Sequence, residues 1–120
     1  MKPDRQPCVL VVEDEFLIAL LVKEALTEAG FRILGPVARL DEAVELAGNN
    51  RLDAALLDIE LSGGKEVYPA AEILAEHNVP FAFISSQPPE LVEDRFVERP
   101  MLQKPFRDSE VQALAARLIR

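Results

Sequence analysis

Five strand-like stretches alternate with helix-like ones along the 120 residues, which predicts an α/β domain on a doubly wound, five-stranded parallel sheet. Three observations carry that expectation. The runs Val9-Leu10-Val11-Val12 and Ala54-Ala55-Leu56-Leu57 are apolar at every position, the pattern of strands covered on both faces. The stretches between such runs hold helix formers and helix-stop signals, so strands are joined by crossovers rather than hairpins. No internal repeat or linker breaks the alternation, which points to a single domain over residues 1–120.

The first strand is expected at residues 8–12. Helix formers follow over 16–29, and Gly30 stands where a left-handed C-cap is wanted, with Phe31 placed for the accompanying apolar contact. A second strand at 32–37 is weakened by Gly35 and Pro36 and belongs at a sheet edge. Asp41 is expected to cap a short helix that ends near Gly48. The third strand covers 54–58. The third helix covers 66–77, with Pro69 in its first turn, where a missing N–H costs little. His77 ends that helix, where a cation suits the dipole. A fourth strand at 79–84 is closed by Ser85-Ser86-Gln87-Pro88-Pro89, and a short helix at 90–97 fits between those prolines and Pro100. A brief fifth strand at 101–103 precedes a last helix at 108–119. Its Val111, Leu114, Ala115 and Leu118 have the i, i+3, i+4, i+7 spacing of a buried stripe.

Composition narrows the function classes. Apolar residues make up 49%, too many for a disordered chain, and 120 residues suffice for a core without staples. Thirteen basic against 21 acidic residues give a net charge of −8, a surface that repels phosphate backbones and argues against nucleic-acid binding. The single cysteine, Cys8, permits no internal disulfide and reads as a buried structural thiol. The polar N-terminus and short apolar runs suggest neither a signal peptide nor a spanning helix, so a cytoplasmic location without membrane attachment is expected.

Chemistry gathers at the predicted strand ends. Glu13-Asp14-Glu15 closes the first strand, Asp58 the third, Ser85-Ser86 the fourth and Lys104-Pro105 the fifth. In a parallel sheet the strand C-termini share one edge, so these residues can meet in one crevice. Several carboxylates facing a lysine suit a divalent cation and a phosphoryl group. Magnesium takes oxygen ligands and keeps several waters, while the ammonium supplies a compact opposing charge. A carboxylate attacking phosphorus must approach an anion, and that repulsion has to be neutralised.

Together, Val9-Leu10-Val11-Val12-Glu13-Asp14, Leu56-Leu57-Asp58, Phe83-Ile84-Ser85-Ser86 and Lys104-Pro105-Phe106 resemble the receiver domains of two-component response regulators. The resemblance covers essentially the whole chain and implies a flavodoxin-like (βα)5 fold with strand order 2-1-3-4-5. It implies Asp58 as phosphoacceptor, with a magnesium or manganese ion on Asp14, Asp58 and the Glu60 backbone carbonyl, and Glu13 reaching it through water. It further implies that Ser85 hydrogen-bonds the phosphoryl group and that Lys104 pairs with one of its oxygens. The implied function is a stand-alone phosphorylation-activated signalling switch with no output domain. A histidine kinase or histidine phosphotransfer protein would donate the phosphoryl group, altering affinity for a protein partner. Such a regulator catalyses nothing beyond its own phosphorylation and dephosphorylation. Ser85 stands where Thr is more usual, and Met101 where many receivers carry Tyr or Phe. Tyr68-Pro69 with Pro80-Phe81-Ala82-Phe83 looks similar to an atypical group of single-domain receivers with a Phe-Ala-Thr-Gly signature.

Two other classes compete. A receiver fold used only as a phosphorylation-independent docking module leaves the clustered acids without a purpose, although like charges held together are costly. An aspartate-nucleophile phosphatase of the haloacid dehalogenase type is suggested by Asp58-Ile59-Glu60. That family's second acid is normally Asp and its motif follows the first strand. Finally, residues 16–22 are apolar without exception, more than a surface helix needs to cover a core. The surplus is expected to dock the kinase-side partner.

Overall fold

The computed structural model describes residues 6–120, so the polar start of the chain at residues 1–5 lies outside the described residues. Five strands form one parallel sheet: β1 (Cys8–Val12), β2 (Arg32–Val37), β3 (Ala54–Asp58), β4 (Phe81–Ser85) and β5 (Met101–Gln103). Their spatial order is β2-β1-β3-β4-β5, the predicted one. The four helices are α1 (Phe16–Glu28), α2 (Leu40–Asn49), α3 (Tyr68–Glu76) and α4 (Asp108–Ile119). Alternate residues of a strand face opposite sides, and the two cores divide accordingly. Leu10, Val12, Leu57, Phe81 and Phe83 meet α2 and α3 on one face, whereas Val9, Val11, Leu56 and Ile84 meet α1 and α4 on the other. Every residue of β1, β3 and β4 is therefore buried, which is why those runs show no alternation.

Helix ends follow local chemistry. Gly30 takes φ +95°, the Gly30 N–H donates to the Thr27 carbonyl and the Phe31 N–H to the Leu26 carbonyl, each at 3.0 Å. This is the predicted left-handed stop. Helix α3 stops the same way with Asn78 at φ +59°, the Val79 N–H donating to the Leu74 carbonyl. That use of Val79 corrects the expected fourth strand, which begins at Phe81 rather than at 79. Asp41 is also corrected. The cap position of α2 is Arg39, and Asp41 lies inside the first turn, paired with the Arg39 guanidinium at 3.1 Å.

Two loops differ more. The chain after β3 forms a two-residue antiparallel ribbon, Glu60–Leu61 against Lys65–Glu66, so α3 begins at Tyr68 rather than at 66. The helix expected at 90–97 does not form. In its place are two single 3-10 turns, Pro89–Leu91 and Asp94–Phe96, because Pro88, Pro89 and Pro100 leave too little chain for a cooperative helix. This strap is pinned by Phe96, which stacks on Tyr68 at 5.9 Å and meets Phe81 and Phe83 edge-on. The Glu93 N–H donates to the Tyr68 hydroxyl, and Arg95 bridges Glu72 and Glu93.

The edge strand β2 carries a bulge. Leu10 pairs with Leu34 but Val12 with Val37, so three residues on β2 oppose two on β1. Gly35 sits there at φ +97°, and a Cβ on it would lie 2.8 Å from the Val11 carbonyl oxygen. Beyond the bulge, the Glu13 N–H donates to the Val37 carbonyl at 2.9 Å, so pairing with β2 fixes the backbone where β1 ends. Among the described residues no helix is long and apolar enough to cross a membrane.

Candidate functional site

The ends of β1, β3, β4 and β5 converge on a crevice of 260 Å³ lined by Asp14, Glu15, Asp58, Glu60, Ser85 and Lys104, among others. Register produces this meeting. Val12 lies opposite Leu57, Asp58 opposite Ile84 and Ser85 opposite Gln103, so each next residue emerges at the same edge. Asp58, Glu13 and Ser85 are buried, the only polar or charged side chains so classed among the described residues. Burying a carboxylate is expensive unless something compensates, and two together are worse.

Lys104 supplies part of the compensation. Its Nζ lies 3.6 Å from Asp58 Oδ2, 3.1 Å from Glu13 Oε1 and 2.7 Å from Glu15 Oε1. It donates hydrogen bonds to Glu13 Oε2 and Glu15 Oε1. Burial opposes the lysine's charge, but Glu15, Asp58 and Glu13 more than offset it, so its pKa rises above the ordinary lysine value. Asp58 goes the other way for a carboxyl. Burial first, then Glu13 beside it, push its pKa up to about 8 despite the pull of Lys104.

The acids suit a cation. Glu13, Asp14 and Asp58 each offer a carboxylate oxygen, and these oxygens all lie within 4.8 Å of one another. Glu13 Oε1 is buried and, although near the ammonium, accepts no hydrogen bond. A divalent cation fits such a donor set, because hard oxygen ligands and mutual repulsion both favour it. Glu60 is exposed, and its backbone carbonyl follows Asp58 by two residues at the start of the ribbon. At β4 the Ser85 Oγ accepts the Gln87 N–H at 2.9 Å, which leaves its own proton to donate.

Every sequence-predicted site residue thus lies at one sheet edge. Glu15 is different: the sequence grouped it with its neighbours, while the structure gives it the shortest contact to Lys104. No sequence signal marked that contact, because it spans 89 residues. The apolar start of α1 is open to solvent, with Phe16 77%, Leu17 69% and Leu21 47% exposed. A second cleft of 260 Å³ runs from Asp14 along Phe16, Leu20 and Lys23 to Pro36 and Ala38. A larger groove of 540 Å³ between the start of α2 and the ribbon has Arg39 at its wall, already paired with Asp41.

Comparison with known proteins agrees with this geometry. Residues 9–116 match the response regulator receiver domain. Phyllosphere-induced regulator PhyR from Methylorubrum extorquens is 29% identical over 119 residues, a match covering 92% of this chain and 43% of PhyR. The chain thus spans less than half the length of that relative. SdrG from Sphingomonas melonis Fr1, known in solution, is 36% identical with a TM-score of 0.83, the match covering 96% of this chain and 98% of SdrG. The receiver domain of sensor histidine kinase PA1611 from Pseudomonas aeruginosa PAO1, crystallised with magnesium in its active site cleft, is 27% identical. Its TM-score is 0.80, with coverage of 96% and 98%.

Proposed function

Because this chain belongs to the response regulator receiver domain family, phosphorylation-activated signalling switches that alter protein-partner binding, we propose that Asp58 is the phosphoacceptor of this one. The observation that carries the reading is Asp58 itself, a buried strand-end carboxylate with Lys104 on one side and the carboxylates of Glu13 and Asp14 on the other. A carboxylate oxygen of Asp58 attacks phosphorus. The bond from phosphorus to the donor nitrogen of a phosphohistidine breaks, and the freed imidazole keeps the electron pair and takes a proton. Lys104 neutralises one phosphoryl oxygen, and the Ser85 hydroxyl, free to donate, hydrogen-bonds another. Asp14, Asp58 and the Glu60 carbonyl, with Glu13 through water, would hold a magnesium ion, or a manganese ion in its place, which would supply the remaining charge neutralisation. The protein then acts on its partners without turning over any other substrate, in a cytoplasmic setting, through the receiver domain at residues 9–116.

The reading is tested with magnesium and beryllofluoride, a phosphoryl mimic. Amide shifts around Asp58, Ser85 and Lys104 are expected to change together, and no response would favour a docking module that works without phosphorylation. In the same NMR titration Asp14→Ala is expected to lose roughly tenfold or more of the magnesium affinity, as removal of a ligating carboxylate does, and Glu13→Ala less. Unchanged affinity in Asp14→Ala would put the cation elsewhere.

The phosphodonor is a histidine kinase or histidine phosphotransfer protein that docks on α1. Four large apolar side chains there, Phe16, Leu17, Leu20 and Leu21, stand exposed beside the crevice, and such clusters mark interaction sites. Leu17→Glu is expected to slow transfer from the kinase roughly tenfold, the effect of losing a contact worth ~1.4 kcal/mol. Phosphorylation by acetyl phosphate should stay near the parent rate. If both reactions fall together, the substitution has damaged the site and the docking surface lies elsewhere.

A further inference from the structure

Three carboxylates compete for one ammonium at the crevice. Of these, Glu15 makes the shortest contact, 2.7 Å, against 3.1 Å for Glu13 and 3.6 Å for Asp58. Its backbone is fixed by its N–H, which donates to Glu13 Oε2 at 3.0 Å. Its side chain makes no cap bond to α1, so its contact with Lys104 is not a by-product of starting the helix. The three acids also differ in freedom. The Glu13 side chain is wholly enclosed and that of Asp58 nearly so, whereas the Glu15 side chain is 61% exposed and can exchange its lysine for water.

Phosphorylation replaces the single negative charge of the Asp58 carboxylate with close to two on the phosphoryl oxygens, beside the same ammonium. Lys104 then faces three anionic groups, Glu13, Glu15 and the phosphoryl group, and the partner that yields is the one water can solvate most cheaply. We infer that Glu15 is a positioning residue that competes with the phosphoryl oxygens for Lys104, holding the ammonium at the crevice mouth until phosphorylation displaces it. This rests on Asp58 being the phosphoacceptor. Glu15 thereby lowers the affinity of the unphosphorylated site for a phosphoryl group and shortens the stay of adventitious anions.

The test measures beryllofluoride affinity at saturating magnesium, and magnesium affinity alone, for the parent, Glu15→Gln and Glu15→Asp. Glu15→Gln is expected to bind beryllofluoride roughly two- to fivefold more tightly, the scale of a partly exposed ion pair. Its magnesium affinity should be equal or weaker, because a nearby negative charge has gone. These opposite movements separate competition from structural damage, which weakens both. Glu15→Asp keeps the charge but is one methylene too short for the 2.7 Å contact, and it should follow Glu15→Gln. Unchanged or weaker beryllofluoride binding by Glu15→Gln overturns the inference. So does a Glu15→Asp variant that matches the parent, since charge at a distance then explains the effect. A parent that binds no beryllofluoride at all overturns the phosphoacceptor reading itself, and this inference with it.

Discussion

Asp58→Asn is expected to take up no phosphoryl group from acetyl phosphate or a kinase, and at the same time to be more stable than the parent at neutral pH. The first effect follows from the nucleophile: the amide keeps the shape of the side chain but cannot supply the carboxylate oxygen that attacks phosphorus. Mass spectrometry of the treated variant should show only background, and full phosphorylation would identify another acceptor. The second effect follows from linkage. Asp58 is pushed up to about 8 from an unfolded value near 3.8, chiefly by burial and then by Glu13. Between those values the unfolded chain has released a proton that the folded protein keeps, so stability falls as pH rises through the window. Asparagine has no proton to release. The gain in melting temperature should therefore be absent near pH 4, grow through the window and level off above pH 8. A gain that is the same at pH 4 and pH 8, or a loss at pH 8, would contradict the raised pKa. Saturating magnesium should shrink the gain, because the cation stabilises the parent's ionised acids.

Phe96→Ala is expected to cost about 3 kcal/mol, the lower end for a buried phenylalanine and a large share of a typical domain's 5–15 kcal/mol. Phe96 is 5% exposed and is the main apolar anchor of the 3-10 strap, seated among Tyr68, Phe81 and Phe83. Arg95 also lies over its ring at 4.8 Å. The strap's other attachments include Val92, the Tyr68 hydroxyl, Arg99 over the Phe81 ring at 4.1 Å and the exposed Arg95 ion pairs, the last worth little in water. Urea unfolding measures the loss. Amide exchange should accelerate in the strap more than in α3, and a cost below about 1 kcal/mol would mean that the ring is not the anchor.

The parts of the fold that could be read from sequence are those governed by local or periodic rules. Burial on both faces makes β1, β3 and β4 continuously apolar, and Gly30 announces the end of α1. The misreadings have their own physics. Asn78 stops α3 as glycine stops α1, taking Val79 out of β4, and the sequence offers no comparably strong mark. Asp41 is a good capping type, yet Arg39 occupies the cap and Asp41 pairs with it instead. The ribbon of Glu60–Leu61 with Lys65–Glu66 is too short to have a period. The strap's prolines were visible, but its anchoring depends on rings from α3 and β4, distant in sequence from Phe96. At the site, strand ends revealed which residues meet. They did not reveal the allotment of one lysine among three acids, because that is decided by side-chain reach across the crevice.

The bulge at Gly35 has a consequence for self-association. An open sheet exposes two rows of unpaired backbone groups, and either can recruit a strand from another molecule. Here one edge is β2, crooked at Gly35 and missing a donor at Pro36; the other is β5, three residues long and closed by Lys104-Pro105. Neither presents a straight run long enough to template fibre growth. The glycine and proline that spoil β2 as a regular strand thus make that edge a poor template for a strand from another copy.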